Sequence, residues 1–127
     1  MEYGIVRYGT PLYVFNMDEM RDTVLLIRNE LAGKAGLCFA MKANPFLTRQ
    51  MAALIDRIEV CSMGEFEICR KLEIEPEKIL ISGVLKEKED IYSILRYYGG
   101  ACTYTIESLN QFHAFAEWCD ANNEVIH

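Results

Sequence analysis

LCFAMKANP, residues 37–45, is the stretch that decides the fold of this chain. Five consecutive apolar residues, 37–41, predict a short buried strand, and Lys42 follows at its end. Ala43, Asn44 and Pro45 continue the turn that leaves the strand. A strand that ends in a small polar loop is typical of an α/β protein, in which functional residues collect at strand ends.

Lys42 is the residue of this stretch with the clearest chemical meaning. A lysine held at a strand end by buried neighbours is partly desolvated, which favours the neutral amine. Schiff-base formation with an aldehyde requires that neutral amine. The simpler alternative is a lysine whose side chain extends from the strand end into water.

Working outward, the same kind of segment recurs along the chain. Short apolar or β-branched runs lie at residues 37–41, 57–61, 79–82, 101–104 and 124–126. Their starts are separated by about twenty residues, enough for one strand, one helix and two loops. Regular alternation of strands and helices predicts βαβ units and a parallel sheet. Periodicity alone does not distinguish an open sheet from a closed barrel.

Helix signals lie between and before these runs. Residues 10–15, TPLYVF, predict a further short strand, and Asn16 then predicts the start of an amphipathic helix that Gly33 ends. Ser62 and Glu65 match a capping box, and Thr105 can cap the last helix. The predicted buried face of that last helix is Leu109, Phe112, Ala116 and Cys119.

Polar residues follow each predicted strand, and in a parallel sheet these ends share one edge. A helix-capping role explains Ser62, Ser82 and Thr105 individually. Lys42 is the exception, because a lysine does not cap the start of a helix.

Composition narrows the classes of function. With 127 residues, 51% of them hydrophobic, one domain with a real core is expected. The net charge of −6 argues against nucleic acid or an anionic membrane as a partner. No apolar run has the length of a membrane span. The spacing of cysteines and histidines predicts no metal site, and the unpaired pattern of five cysteines is typical of a reducing cytoplasm.

Residues 10–15 followed by CFAMKAN, residues 38–44, resemble the opening of the pyridoxal-phosphate (PLP) decarboxylases with an alanine-racemase-like barrel. These are the diaminopimelate, ornithine and arginine decarboxylases. Residues 59–65, EVCSMGE, are similar to the family's D-x-x-S-x-x-E segment, and weaker likenesses follow at 81–86 and 104–109. The resemblance implies the N-terminal part of a PLP-binding (β/α)8 barrel. Residues 16–127 would form its first half, and the strand in residues 1–15 would join a C-terminal β-domain.

The resemblance also implies roles for three residues. Lys42 would form the internal aldimine with PLP, and Glu59 and Ser62 would lie beside the cofactor. Glu59 stands where the family has an aspartate near the lysine. Met63 replaces a family glycine and Ser82 a family histidine, so no single basic or diamino acid is selected as the substrate.

Three functional readings follow. The first is the N-terminal segment of a cytoplasmic decarboxylase of a small amino acid, too short for a barrel of roughly 250 residues and expected to be inactive alone. The second is a non-catalytic half-barrel that forms a homo-oligomer or complements a C-terminal half, because open sheet edges need covering. The third is an open α/β domain in which Lys42 is a surface residue.

Overall fold

The computed structural model describes residues 2–42, 44–83 and 86–126, in two units, residues 1–34 and residues 35–127. The helices are α1 (Glu2–Tyr8), α2 (Met17–Leu31), α3 (Thr48–Ala52), α4 (Met63–Lys71), α5 (Lys88–Tyr98) and α6 (Leu109–Asn122). The strands are β1 (Cys38–Ala40), β2 (Arg57–Val60), β3 (Ile79–Ile81) and β4 (Thr103–Tyr104). Single 3-10 turns lie at Pro45–Leu47, Pro76–Lys78 and Gly99–Ala101.

Helix α2 of the first unit begins and ends where the sequence predicts. The Asn16 side-chain oxygen accepts hydrogen bonds from the backbone N–H groups of Asp18 and Glu19, both at 3.2 Å. These bonds satisfy donors that have no partner within the helix. The helix ends at Ala32, with φ 47°, and Gly33, with φ 74°. This pair stops the helix because a left-handed residue cannot continue a right-handed helix, and glycine at position 33 adopts that conformation without strain.

The predicted strand over residues 10–15 is wrong, because this segment is irregular and follows helix α1. The Tyr13 residue is 91% exposed. A strand is stable only when a neighbouring strand pairs with its backbone groups. The described residues of the first unit contain no strand at all that could pair with this segment. The prediction that this segment joins a β-domain stays untested.

The second unit contains a parallel sheet in the order β1-β2-β3-β4. Helices α4 and α5 connect successive strands, and the 3-10 turn at Pro45–Leu47 with the short α3 connects the first two. The predicted alternation of strand and helix is therefore confirmed for these four strands. Parallel pairing brings the carboxyl ends of all four to one edge.

The sheet buries one face more than the other. In β2, Ile58 and Val60 are buried, whereas Arg57 is exposed and Glu59 is partly exposed. The Arg57 guanidinium donates a hydrogen bond to the Thr103 hydroxyl of β4, so these two side chains lie on the same face. The polar face therefore carries Glu59 and the buried face carries the core. One cluster of this core packs α5, α6 and β4 against each other. Its members are Ile91, Leu95, Ala114, Phe115, Tyr92, Tyr104, Trp118 and Ile126.

Two predictions for the last part of the chain are wrong. Residues 124–126 form no strand, and the Glu124 carboxylate instead accepts hydrogen bonds from the Gly100 backbone and the Trp118 indole. Helix α6 buries Gln111, Ala114 and Phe115, whereas Leu109 is 76% exposed and Phe112 is also exposed. Two neighbouring stripes of α6 both have helical spacing, so periodicity could not choose between them.

No helix in the described parts of the chain is long and apolar enough to span a bilayer.

Candidate active site

The carboxyl edge of the sheet gathers polar side chains from all four strand ends. Lys42 follows β1, Cys61 and Ser62 follow β2, Ser82 follows β3 and Thr105 follows β4. The register pairs Ala40 with Glu59, Val60 with Ile81 and Ile81 with Tyr104. Residues that are some twenty positions apart in sequence therefore become neighbours at this edge.

Lys42 forms an ion pair with Glu59. The distance from the Lys42 Nζ to the Glu59 Oε2 is 3.9 Å, and the two side chains are 60% and 27% exposed. The expected desolvation of Lys42 is therefore wrong for this structure. Strand β1 is an edge strand of the described sheet, so a residue at its end has a neighbouring strand on one side only. The amine is left open to solvent and to a ligand.

The other oxygen of the Glu59 carboxylate, Oε1, also has a hydrogen-bond partner. The Ser82 hydroxyl donates to Glu59 Oε1 at 2.8 Å, and the Cys61 sulfur lies 3.1 Å from the same hydroxyl. A hydroxyl has one proton, and an ionised carboxylate can only accept. The proton of Ser82 therefore points to Glu59, and the Cys61 thiol donates to Ser82. A directed row of hydrogen bonds runs from Cys61 through Ser82 to Glu59.

A second network joins the ends of β3 and β4. The Glu107 carboxylate accepts from the Gly83 N–H and from the Thr105 hydroxyl, both at 2.7 Å. The Gln111 amide donates to the Gly83 carbonyl at 3.2 Å and accepts from the Glu107 N–H at 2.8 Å. The hydrogen bonds from Thr105 and Gly83 lower the pKa of Glu107, with Thr105 the largest cause, and the positive charges of Lys86 and Lys42 contribute less. Glu107 is therefore a carboxylate held in its ionised form.

Lys86 is a second lysine at this edge. Its Nζ donates to the Thr105 carbonyl at 2.8 Å and lies 3.3 Å from the Thr105 hydroxyl. Burial lowers the pKa of Lys86, and the negative charge of Glu107 partly opposes that shift. Lys86 is thus tied to the backbone of the β4 end, whereas the Lys42 amine is exposed.

The capping predictions have mixed outcomes. The Ser62 hydroxyl caps α4 by accepting from the Glu65 N–H at 3.3 Å, as predicted. Its place beside a cofactor stays a prediction. Ser82 is not a cap, because it turns to Glu59 and α5 begins after Glu87. Thr105 is not a cap either, because Ser108 accepts from the first turn of α6.

The amino-acid sequence of this chain is similar to part of known decarboxylases. Over 92 residues the chain is 33% identical to the diaminopimelate decarboxylase of Helicobacter pylori, covering 70% of this chain and 23% of that protein. The chain is homologous to part of a diaminopimelate decarboxylase. It spans about a quarter of the length of the curated decarboxylases that it matches. No family model matches the chain.

Solved decarboxylases share its fold. The lysine/ornithine decarboxylase of Vibrio vulnificus complexed with putrescine aligns with 94% of this chain at a TM-score of 0.79 and 22% identity. The diaminopimelate decarboxylase of H. pylori complexed with L-lysine aligns with 96% at a TM-score of 0.78 and 24% identity. The chain covers 32% and 31% of those two structures. The decarboxylase-like segment therefore has part of the fold of the PLP-dependent barrel decarboxylases.

The carboxyl edge of this decarboxylase-like segment places an amine and a carboxylate side by side. An exposed primary amine, Lys42, lies beside one carboxylate whose other oxygen is already fixed. Sequence reasoning singled out Lys42 and Glu59 and placed Ser82 and Glu107 at strand ends, but it gave Ser82 a capping role, gave Glu107 no role and missed Gln111. The buried Gln111 amide needs partners, but its burial follows only from the structure, because periodicity did not choose between the two stripes of α6.

Proposed function

We propose that this chain is part of the PLP-binding barrel of a decarboxylase that acts on a basic or diamino acid in the cytoplasm. The observation that carries the proposal is the exposed Lys42 amine at the carboxyl edge of a parallel sheet, 3.9 Å from the Glu59 carboxylate. In barrel enzymes this edge is where active sites are built. The homology to diaminopimelate decarboxylases supports the same assignment.

Lys42 is the residue that would hold PLP, through its ε-amine. PLP, when bound, supplies an electron sink for the carbon that loses carbon dioxide. The Lys42 amine must lose its proton before it can attack an aldehyde. Glu59 Oε2 is the carboxylate oxygen that faces the Lys42 amine, and Ser82 keeps the other oxygen occupied. Glu59 and Ser62 are proposed as cofactor neighbours on the ends of β2 and its loop.

The substrate class follows from the relatives. Two structural neighbours hold putrescine or L-lysine, linear molecules with primary amines. A basic or diamino acid is the matching proposal for the complete enzyme to which this segment would belong.

Trapping with borohydride tests the role of Lys42. The chain is mixed with PLP and reduced, and peptide mass spectrometry then measures the pyridoxyl label on each of the six lysines. We expect most of the label on Lys42. The matched comparison within the chain is Lys71, an exposed lysine on α4. Label distributed among the lysines according to exposure alone would contradict the proposal.

A second candidate is the non-catalytic half-barrel. A cavity beside β4 is lined by apolar side chains, among them Tyr104, Phe112 and Ile126, and Leu109 beside it is exposed. Burying an aromatic side chain is worth about 2 kcal/mol, so this surface favours association. The occupant would be a second copy of the chain or a complementing C-terminal half of the barrel.

Light scattering at micromolar concentration tests this candidate. We expect a dimer that the change Phe112→Ser dissociates, whereas Val6→Ser, an exposed apolar position in the first unit, leaves it intact. A monomer at all concentrations would exclude self-association and leave complementation, which a pull-down with the corresponding C-terminal part of a homologue would test.

A further inference from the structure

We propose that Ser82 is a positioning residue that holds the Glu59 carboxylate toward the Lys42 amine. The proposal rests on the role of Lys42 given above, but it concerns a different residue, one that helix capping does not explain. It assigns to Ser82 an action through Glu59 and no direct contact with the reacting atoms.

The geometry around Ser82 supports this action. The residue is only 5% exposed, and its hydroxyl donates to Glu59 Oε1 at 2.8 Å. The same hydroxyl lies 3.1 Å from the Cys61 sulfur, which leaves Glu59 as the acceptor of its single proton. With Oε1 occupied, Oε2 is the oxygen that faces Lys42 at 3.9 Å.

The backbone fixes Ser82 at the end of β3. The Ser82 N–H donates to the Val60 carbonyl at 2.8 Å, which extends the pairing of β2 and β3 by one residue. The following residue, Gly83, is clamped at its N–H by Glu107 and at its carbonyl by Gln111. The position of Ser82 is therefore well fixed, and its hydroxyl holds the Glu59 carboxylate in one orientation.

Lys42, in contrast, needs an external constraint. Its side chain is 60% exposed, and an exposed ion pair has little geometric preference of its own. Orienting one partner in advance reduces the freedom that the other must lose. The hydroxyl of Ser82 supplies that orientation because it ties one oxygen of Glu59 to the sheet.

A double-mutant cycle with a cofactor-free readout tests the proposal. All lysines are reductively methylated with isotope-labelled formaldehyde, which keeps their charge, and the NMR signal of Lys42 is followed. In Ser82→Ala we expect this signal to move most of the way to that of an exposed lysine, and in Glu59→Ala all the way. In the double variant, Ser82→Ala adds no further shift, because its effect passes through Glu59.

Two controls separate positioning from a general structural effect. The Lys78 signal, whose amine donates to the Ala52 carbonyl, stays unchanged in every variant that folds. Ser82→Thr keeps the hydroxyl and is expected to retain the original Lys42 signal. The proposal is overturned if Ser82→Ala leaves the Lys42 signal unmoved, or if it shifts that signal equally with and without Glu59.

The trapping experiment tests the PLP assignment separately from the role of Ser82. If unaltered chain carries its pyridoxyl label mainly on Lys42, the PLP assignment stands whichever way the NMR cycle turns out. If unaltered chain shows no preference for Lys42, the PLP assignment fails, while the NMR cycle still decides whether Ser82 positions Glu59.

Discussion

Replacing Gln111 with methionine should lower the free energy of unfolding by about 2 kcal/mol. Gln111 is 2% exposed, and its amide accepts from the Glu107 N–H at 2.8 Å and donates to the Gly83 carbonyl at 3.2 Å. Methionine is unbranched and of similar length, so the change removes the hydrogen bonds without leaving a large cavity.

The magnitude follows from the partners that are left behind. Each of the two hydrogen bonds contributes about 1 kcal/mol net, and a buried group without a partner costs up to a few kcal/mol more. Glu107 is exposed and Gly83 is partly accessible, so water can reach the N–H of the first and the carbonyl of the second once the amide is removed. The loss should therefore stay near the sum of the two bonds.

Urea unfolding followed by the fluorescence of Trp118 provides the assay, because this single tryptophan lies on the same helix as Gln111. We expect a lower midpoint with an unchanged dependence on urea. Asp120→Asn, at an exposed position of α6, is the matched control and should change stability by no more than about 0.5 kcal/mol. A Gln111→Met variant that unfolds at the original midpoint would refute the reasoning that this amide clamps the β3 end.

Three further predictions concern the core and the turns. Burial raises the pKa of Cys69 from 9.0 to about 11 and that of Cys102 to about 12, so the unfolded chain loses these protons first. Stability should therefore fall as the pH rises above 9 toward 11, and Cys69→Ala should reduce that slope in pH-dependent thermal melts. Gly83→Ala should destabilise by about 2 kcal/mol in urea unfolding, because φ is +103° and the added Cβ would lie 3.0 Å from the Cys61 carbonyl. Ser62→Ala should cost about 1 kcal/mol in the same assay through the lost cap of α4, whereas Ser62→Asp should retain most of the stability.

Local patterns predicted much of the second unit correctly. The four strands lie within the predicted runs, and Asn16 and Ser62 cap the helices that they were expected to cap. These features depend on residues three or four positions apart, which the sequence shows directly. The same patterns did not predict which distant segments of the chain pair or pack together. The strand predicted over residues 10–15 needed a partner strand, and the stripe that α6 buries depended on which neighbours it meets.

The sequence by itself determined the alternation of strands and helices, the place of Lys42 at a strand end and the likeness to the decarboxylases. Only the tertiary structure decided what surrounds that lysine. The register of parallel strands brings Glu59 to Ser82, and the β4 end brings Glu107 and Gln111 to Gly83. The physical reason is that periodicity records which face of its own element a residue occupies. Hydrogen-bond partners from other strands, and the exposure of the Lys42 amine at the edge strand, depend on how separate elements are placed side by side.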